Sequence, residues 1–395
     1  MDWNSILEKA GELEPDLIRT RRWLHRNPEL SFKEKKTTEF IADRLRKIGL
    51  HPVTFPDYFG LYADLECGGE KEPAVVLRAD IDALPVKEET GLPFASEKEG
   101  VMHACGHDCH TAMLLAAAEI LVGMRKNLSG RIRFLFQSAE ESCHGAAYYI
   151  DHGILNDASV IFGEHVWSEL SDQGINLEDG ARMASCDNFT ITVHGKTAHG
   201  ASPERGIDAI AASASIVQNL QQIVSRRIDP RDSAAITIGT IHGGERSNLI
   251  CKEVVMEGTV RTHSESVRDS AEDWIRRCAE YSAEGTGAEA ELDYQYILRP
   301  LFNDPKYTAA AREAAAGLFG TSVLMPMKKS MLSEDFALYQ ERIPSVFALV
   351  GARNEKKGLI YGNHDPRFTV DESILKRGAA LYAGFAADVL KEQEY

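Results

Sequence analysis

Eight consecutive residues, His103-Ala104-Cys105-Gly106-His107-Asp108-Cys109-His110, hold three of the thirteen histidines, two of the seven cysteines and an aspartate. Imidazole, thiolate and carboxylate are the donors that bind borderline transition metals. Gly106 allows a close backbone bend between donors. The apolar run Ala112-Met113-Leu114-Leu115 follows at once, so the cluster opens a buried helix and is not an exposed polar loop. Further along, Glu140-Glu141 closes an apolar strand. Two adjacent carboxylates facing a cation can divide the work: one binds metal, and the other stays free as a general base toward a metal-activated water. Asp82, in the turn before Pro85, suits a carboxylate that orients a ligating imidazole through its second nitrogen. Cys105, His107, Glu141 and His165 leave room for one more ligand. His364, in Tyr361-Gly362-Asn363-His364-Asp365-Pro366, is a candidate for it.

The elements that must position these residues follow an α/β rhythm. Residues 14 to 48 read as helical, interrupted at Pro28 and stopped by Gly49. Strands are expected over 74–78, 131–136 and 160–162, and helices over 111–124 and 145–152. Asp82, Glu140, Glu141 and His165 would then fall at or just beyond strand carboxyl ends, where such sheets gather their chemistry. From 181 to 297 the texture changes. A strand over 188–194, a helix over 207–223, strands over 234–242 and 254–261 around Gly243-Gly244-Glu245, a helix over 267–282 and a strand over 290–296 give the order βαββαβ. This predicts an inserted second domain at 181–297 within a discontinuous domain of 1–180 and 298–395. The α/β pattern resumes with a helix over 309–318, a strand over 345–350 and a helix over 374–390.

A chain of 395 residues with 44% hydrophobic residues suits two globular domains. The net charge of −16 argues against general nucleic-acid binding and otherwise serves solubility. No apolar stretch is long enough to span a membrane, and the polar, amphipathic segment 1–10 has no signal-peptide core. The cysteines at 67, 105, 109, 143, 186, 251 and 278 are scattered and odd in number. That pattern points to a reducing cytoplasm and not to a disulfide framework. Cys105 is the thiol with a functional reading.

In sequence the chain resembles the peptidase M20 amidohydrolases, in the aminoacylase and hippurate-hydrolase branch that includes plant auxin-conjugate hydrolases. The matching stretches are WLHRNPELSFKE at 23–34, RADIDALPVKEETGLPFAS at 78–96, HACGHDCHTAMLLAAA at 103–118, FQSAEE at 136–141, GEHVW at 163–167, SEDFALY at 333–339 and NHDPRFTVDE at 363–372. The resemblance implies a zinc-peptidase-like catalytic domain with a mixed sheet flanked by helices, and a ferredoxin-like lid and dimerisation domain. It implies two divalent metal ions, manganese or zinc with cobalt or nickel as further candidates, held by Cys105, His107, Glu141, His165 and His364. Glu140 would be the general base, Asp82 the supporting carboxylate, and His199 of the inserted domain the donor that polarises the scissile carbonyl. Asn248 and Arg261 are weaker candidates for contacting substrate. The implied reaction is hydrolysis of the linear amide of a small N-acyl amino acid, by a homodimer or homotetramer. A dipeptidase on the same scaffold and a non-catalytic metal-binding protein are the alternatives. The chain departs from the branch at Cys109, where glycine is usual, at Ser138, where proline is common, and at Ser142-Cys143-His144, which replaces a glycine-rich run beside the candidate base.

Overall fold

The computed structural model describes residues 2–68 and 74–391. The helices are α1 (Trp3–Arg26), α2 (Lys35–Lys47), α3 (His107–Met124), α4 (Gly145–Asp151), α5 (Ala209–Arg226), α6 (Glu265–Glu284), α7 (Pro305–Phe319) and α8 (Leu375–Val389). The strands that position the site and build the two larger sheets are β1 (Val53–Thr54), β2 (Leu61–Gly68), β3 (Ala74–Asp80), β4 (Gly130–Gln137), β5 (Ala158–Ser171), β6 (Ile175–Asn176), β7 (Cys186–His194), β8 (Ala234–Gly243), β9 (Glu253–Thr262), β10 (Glu289–Leu298) and β11 (Ser345–Arg353). The chain divides into two compact units. The first comprises 1–180, 302–328 and 335–395, and the second comprises 181–301 and 329–334.

In the first unit a seven-stranded mixed sheet runs β1-β2-β4-β3-β5-β11-β6. β4, β3, β5 and β11 are parallel neighbours. Their runs Ala74–Ala79, Ile132–Phe136, Val160–Phe162 and Val346–Val350 are buried throughout. Continuous burial is what a parallel sheet covered on both faces requires. α3 is buried on nearly all sides, with Glu119 the part-exposed exception between Met113 and Leu121, and it packs against α1, α8 and β3. In the second unit β7-α5-β8-β9-α6-β10 forms a four-stranded antiparallel sheet in the order β10-β7-β9-β8, with its own apolar core. This is the expected βαββαβ arrangement.

Several element expectations need correcting. The helix expected over 14–48 is two helices. α1 begins at Trp3, capped by the Asp2 side chain on the Ser5 N–H at 3.2 Å, and 27–34 is non-helical. Trp3 lies against Gly317 of α7, where any Cβ would strike its ring, so the segment read as an amphipathic end docks on the core. β5 extends to Ser171, which puts His165 in mid-strand and not at a strand end. β3 reaches Asp80, and α3 starts four residues early, at His107. β2 was not foreseen. Its polar Asp64 and Glu66 obscure an alternating edge-side strand whose Asp64 is paired with Arg133 of β4 at 2.7 Å.

A buried ion network fixes the first turn of α3. Asp108 accepts from Arg21 Nε at 2.8 Å, and the same oxygen lies 2.8 Å from His25 Nδ1. His25 Nε2 faces Glu88 Oε1 at 3.2 Å, and Arg21 and Arg22 reach Glu372. Burial works against a charged His25, as does Arg21. Asp108 and Glu88 outweigh them and hold its pKa above the ordinary 6.5. A folded-state pKa raised in this way contributes stability that is complete below about pH 6.5 and is lost as pH rises through the folded value. Melting temperatures of metal-stripped wild type and His25→Gln should therefore differ most below about pH 6.5 and draw together as pH rises above it. A difference that stays constant over this range would show that His25 acts without its charge.

Candidate metal centre

Three neighbouring parallel strands and one helix start deliver the candidate ligands. β3 leads through Asp80 to Asp82, β4 leads to the short 3-10 turn Glu140–Ser142, and β5 carries His165. α3 opens on His107 directly after Gly106, whose φ is 97°. A Cβ at 106 would stand 2.3 Å from the Val166 side chain, so both the dihedral and the space demand glycine there.

His107 is the focus. Its Nδ1 faces Asp82 Oδ1 at 3.2 Å and Asp80 Oδ1 at 3.7 Å. Its Nε2 faces Glu141 Oε1 at 3.8 Å and Glu140 Oε2 at 3.9 Å. Cys105 Sγ lies 3.3 Å from His165 Nε2 and 3.3 Å from His364 Nε2. His364 Nε2 is in turn 3.6 Å from Glu141 Oε1. Cys105, His107 and His165 form one group of potential ligands, and Cys105, Glu141 and His364 form another, with the atoms in each within 4.8 Å of one another. The two groups share the thiol.

The donor set fits divalent cations. His107 Nε2 and Glu141 Oε1 are buried without a hydrogen-bond partner. Each such atom costs about 1–3 kcal/mol unless something coordinates it. Burial pushes the Glu141 carboxyl up to about 7, His107 opposing the shift and Asp82 adding to it. Burial opposes charge on His107, yet Asp80 and Asp82 lift it to about 10. Burial holds His165 well below the usual imidazole range, in the neutral form that ligates. His165 Nδ1 donates to the Val166 carbonyl at 2.8 Å, which leaves Nε2 as the ligating nitrogen.

The supports are as specific as the ligands. Asp82 Oδ2 accepts from Ser31 Oγ at 2.7 Å and from the Glu141 N–H at 3.0 Å. The Asp335 N–H donates to Glu140 Oε1 at 3.3 Å. Ala139, Cys143 and His364 all have positive φ, at 60°, 59° and 72°. That conformation is costly for residues with a Cβ and is typical of functional turns. Glu34 holds the first of these turns, accepting from Ser138 Oγ at 2.7 Å and Ala139 N at 2.9 Å.

The structure thus brings Asp82, Cys105, His107, Glu140, Glu141, His165 and His364 together. His199 and Asn248 lie in the second unit, in adjoining loops: His199 bridges Leu249, and the Gly200 N–H donates to Asn248 O at 2.8 Å. Arg261 is in β9 and donates to Val260 O at 3.2 Å. Sequence reasoning gave no role to Asp80, His110, Glu34 or Asp335. His110 had a usable signal, since it stands three residues after His107 on one helix face. Glu34 and Asp335 lie in stretches that carry the resemblance, but only the fold places them around the Ser138–Glu140 turn. Neither Cys109, which is fully buried, nor the exposed His144 joins a candidate ligand group.

Comparison with known proteins agrees with this geometry. The family model of peptidase family M20/M25/M40 matches residues 76–388. The chain belongs to that family. An N-acetylcysteine deacetylase of Bacillus subtilis is 41% identical over 95% of this chain and 97% of its own. A thermostable carboxypeptidase of Saccharolobus solfataricus is 38% identical over 94% of this chain and 95% of its own. A solved Bacillus subtilis structure, described as a dinuclear metal-binding peptidase of the M20 family, superposes with a TM-score of 0.86 at 38% identity, covering 96% of this chain and 99% of that one. Among the described residues, no helix is long and apolar enough to cross a membrane.

Because Cys105 belongs to both ligand groups, Cys105→Ala should lower the content of both ions after dialysis, as measured by elemental analysis. Unchanged stoichiometry would remove the thiol from the ligand set.

Proposed function

We propose that this protein is a metal-dependent amidohydrolase that cleaves N-acyl amino acids into a carboxylic acid and a free amino acid. The observation that carries the reading is the division between the paired carboxylates. Glu141 presents a buried, unpartnered oxygen to the ligand groups. Glu140, one residue earlier, is aimed by the Asp335 N–H at the rim of the same cluster. A site that only stored metal would need no carboxylate held in that position.

Cys105, His107, Glu141, His165 and His364 would hold two divalent ions, manganese or zinc. When bound, these supply Lewis acidity that brings the pKa of water to about 7. Glu140 accepts the proton of the attacking water and passes it to the leaving amine. Asp82 keeps His107 oriented with Nε2 toward the cluster. His199 is assigned the role of donor to the oxyanion, and its local chemistry supports this. The Ala201 N–H donates to His199 Nδ1 at 3.1 Å, so a neutral ring carries its proton on Nε2 as an outward donor. Asn248 and Arg261 are assigned to substrate contacts. The same reading makes residues 181–297 a lid and dimerisation module of a cytoplasmic homodimer or homotetramer.

The carboxypeptidase among the relatives favours a second reading, removal of a C-terminal amino acid from a peptide. Both reactions break an amide whose amine side is a free amino acid. A panel of acetyl-, benzoyl- and indoleacetyl-amino acids against dipeptides, with metal-reconstituted protein, separates them. Higher kcat/KM on the acyl amino acids is expected, and preference for dipeptides would overturn the first reading.

Glu140→Gln should keep fold and metal and lose about 10²–10⁴-fold in kcat. A fully loaded variant retaining above about a tenth of wild-type kcat would show that Glu140 is not the base. His199→Ala should leave metal content intact and lower kcat by about 10²–10³-fold with little change in KM. An increase in KM alone would assign His199 to ground-state substrate binding.

A further inference from the structure

The backbone N–H and carbonyl of Val166 touch the supports of three candidate ligands. The β3–β5 register ends at Arg78–Gly163, so β3 offers no partner to the Val166 N–H. That N–H donates instead to His110 Nε2 at 2.8 Å. A nitrogen that accepts an N–H carries no proton of its own. The neutral His110 ring therefore holds its proton on Nδ1, where Asp80 Oδ1 lies at 2.6 Å. Asp80 is itself anchored by Arg78 Nη1 at 2.6 Å. Both His110 nitrogens and this Asp80 oxygen are thus engaged, so the buried group Asp80, His107 and His110 serves as a support and not as another ligand set.

The carbonyl of the same residue, Val166 O, accepts from His165 Nδ1 at 2.8 Å and from Asn363 Nδ2 at 3.1 Å. Asn363 Nδ2 also donates to Cys105 O at 3.0 Å. Two further bonds to Ser168, each 3.1 Å, fix Asn363 in place. The next residue is His364, whose own N–H donates to Ala104 O at 2.8 Å. His165 directly, and Cys105 and His364 through Asn363, therefore connect to the backbone of one residue, Val166, gripped by His110 on its N–H and by Asn363 on its carbonyl.

We propose that His110 and Asn363 are positioning residues for metal binding: together they orient the Val166 backbone, which fixes the ligating nitrogen of His165, and Asn363 also sets the placement of Cys105 and His364. The acceptor at His110 Nε2 is the decisive atom. The inference rests on the ligand assignment above, and a wild-type protein that bound no metal would fail that assignment without testing this one.

Two isosteric changes separate positioning from packing. His110→Gln places an amide oxygen where Nε2 stood and keeps an acceptor for the Val166 N–H. His110→Asn places its amide where Nδ1 stood, keeping the donor to Asp80 and leaving the Val166 N–H without an acceptor. Both remove the ring. Metal affinity is read by chelator competition, and folding by the melting temperature of the metal-free proteins. His110→Gln is expected to stay within about threefold of wild type, and His110→Asn to bind about 10–100-fold more weakly at a temperature where both are folded. Equal affinities, or equal losses in the two variants, would overturn the proposal, because the ring would then only fill space. If the His110 variants do not fold, Asn363→Ser, in a part-exposed loop, carries the test. A loss of about 10-fold or more in affinity supports the proposal, and unchanged affinity overturns it.

Discussion

Four carboxylates converge on one imidazole. Asp80, Asp82, Glu140 and Glu141 all place an oxygen within 3.2 to 3.9 Å of His107. Like charges at such spacing, away from water, repel strongly unless positive charge stands among them. The surrounding structure answers that constraint. Arg78 is fully buried and bonds Asp80, Asp335 and Gln137. Asp82 collects the Ser31 hydroxyl and the Glu141 N–H, and Glu140 collects the Asp335 N–H. What these donors leave uncompensated faces inward, toward His107 Nε2 and Glu141 Oε1, and a pair of divalent cations meets that need.

Holding the cluster rigid falls to the sheet and to α3. The parallel order β4-β3-β5-β11 sets the chain segments near 82, 140 and 165 side by side. α3 drops His107 and His110 onto them from one face. Strain is spent close to the chemistry, at Ala139, Cys143 and His364, where backbone turns present side chains that a relaxed turn would point elsewhere. Glu34 and Asn363 hold two of those turns in place through hydrogen bonds from distant parts of the chain.

Much of this was legible in the sequence. The types and order of Cys105, His107, Glu140, Glu141, His165 and His364 carried both the metal chemistry and the family resemblance. The change of texture beyond 181 carried the βαββαβ unit, because period-2 strands and amphipathic helices write their faces into local pattern. Element ends were less legible. α3 begins on candidate ligand residues, which read as a loop because they are polar. β5 runs on past His165 because a strand buried in a covered sheet tolerates polar residues that have partners. The segment 1–10 read only as polar and amphipathic, although Trp3 fills a notch that Gly317 leaves open.

By itself the sequence determined which chemical groups are available, since donor type is a property of the residue, and, β2 excepted, where the main helices and strands of the two larger sheets lie, since their periodicity is local. Tertiary structure alone decided which carboxylate keeps a buried oxygen without a hydrogen-bond partner, which is held by the Asp335 N–H at the rim of the cluster, and which nitrogen of each histidine faces it. Apart from the local bond of His165 Nδ1 to the Val166 carbonyl, those outcomes depend on hydrogen bonds from residues remote in sequence: Asp335 to Glu140, Ser31 to Asp82 and Val166 to His110. A contact between positions 195 residues apart, such as that of Asp335 with Glu140, leaves no periodic trace in the chain. It exists only once parallel strands and a buried helix have brought its partners into one small volume.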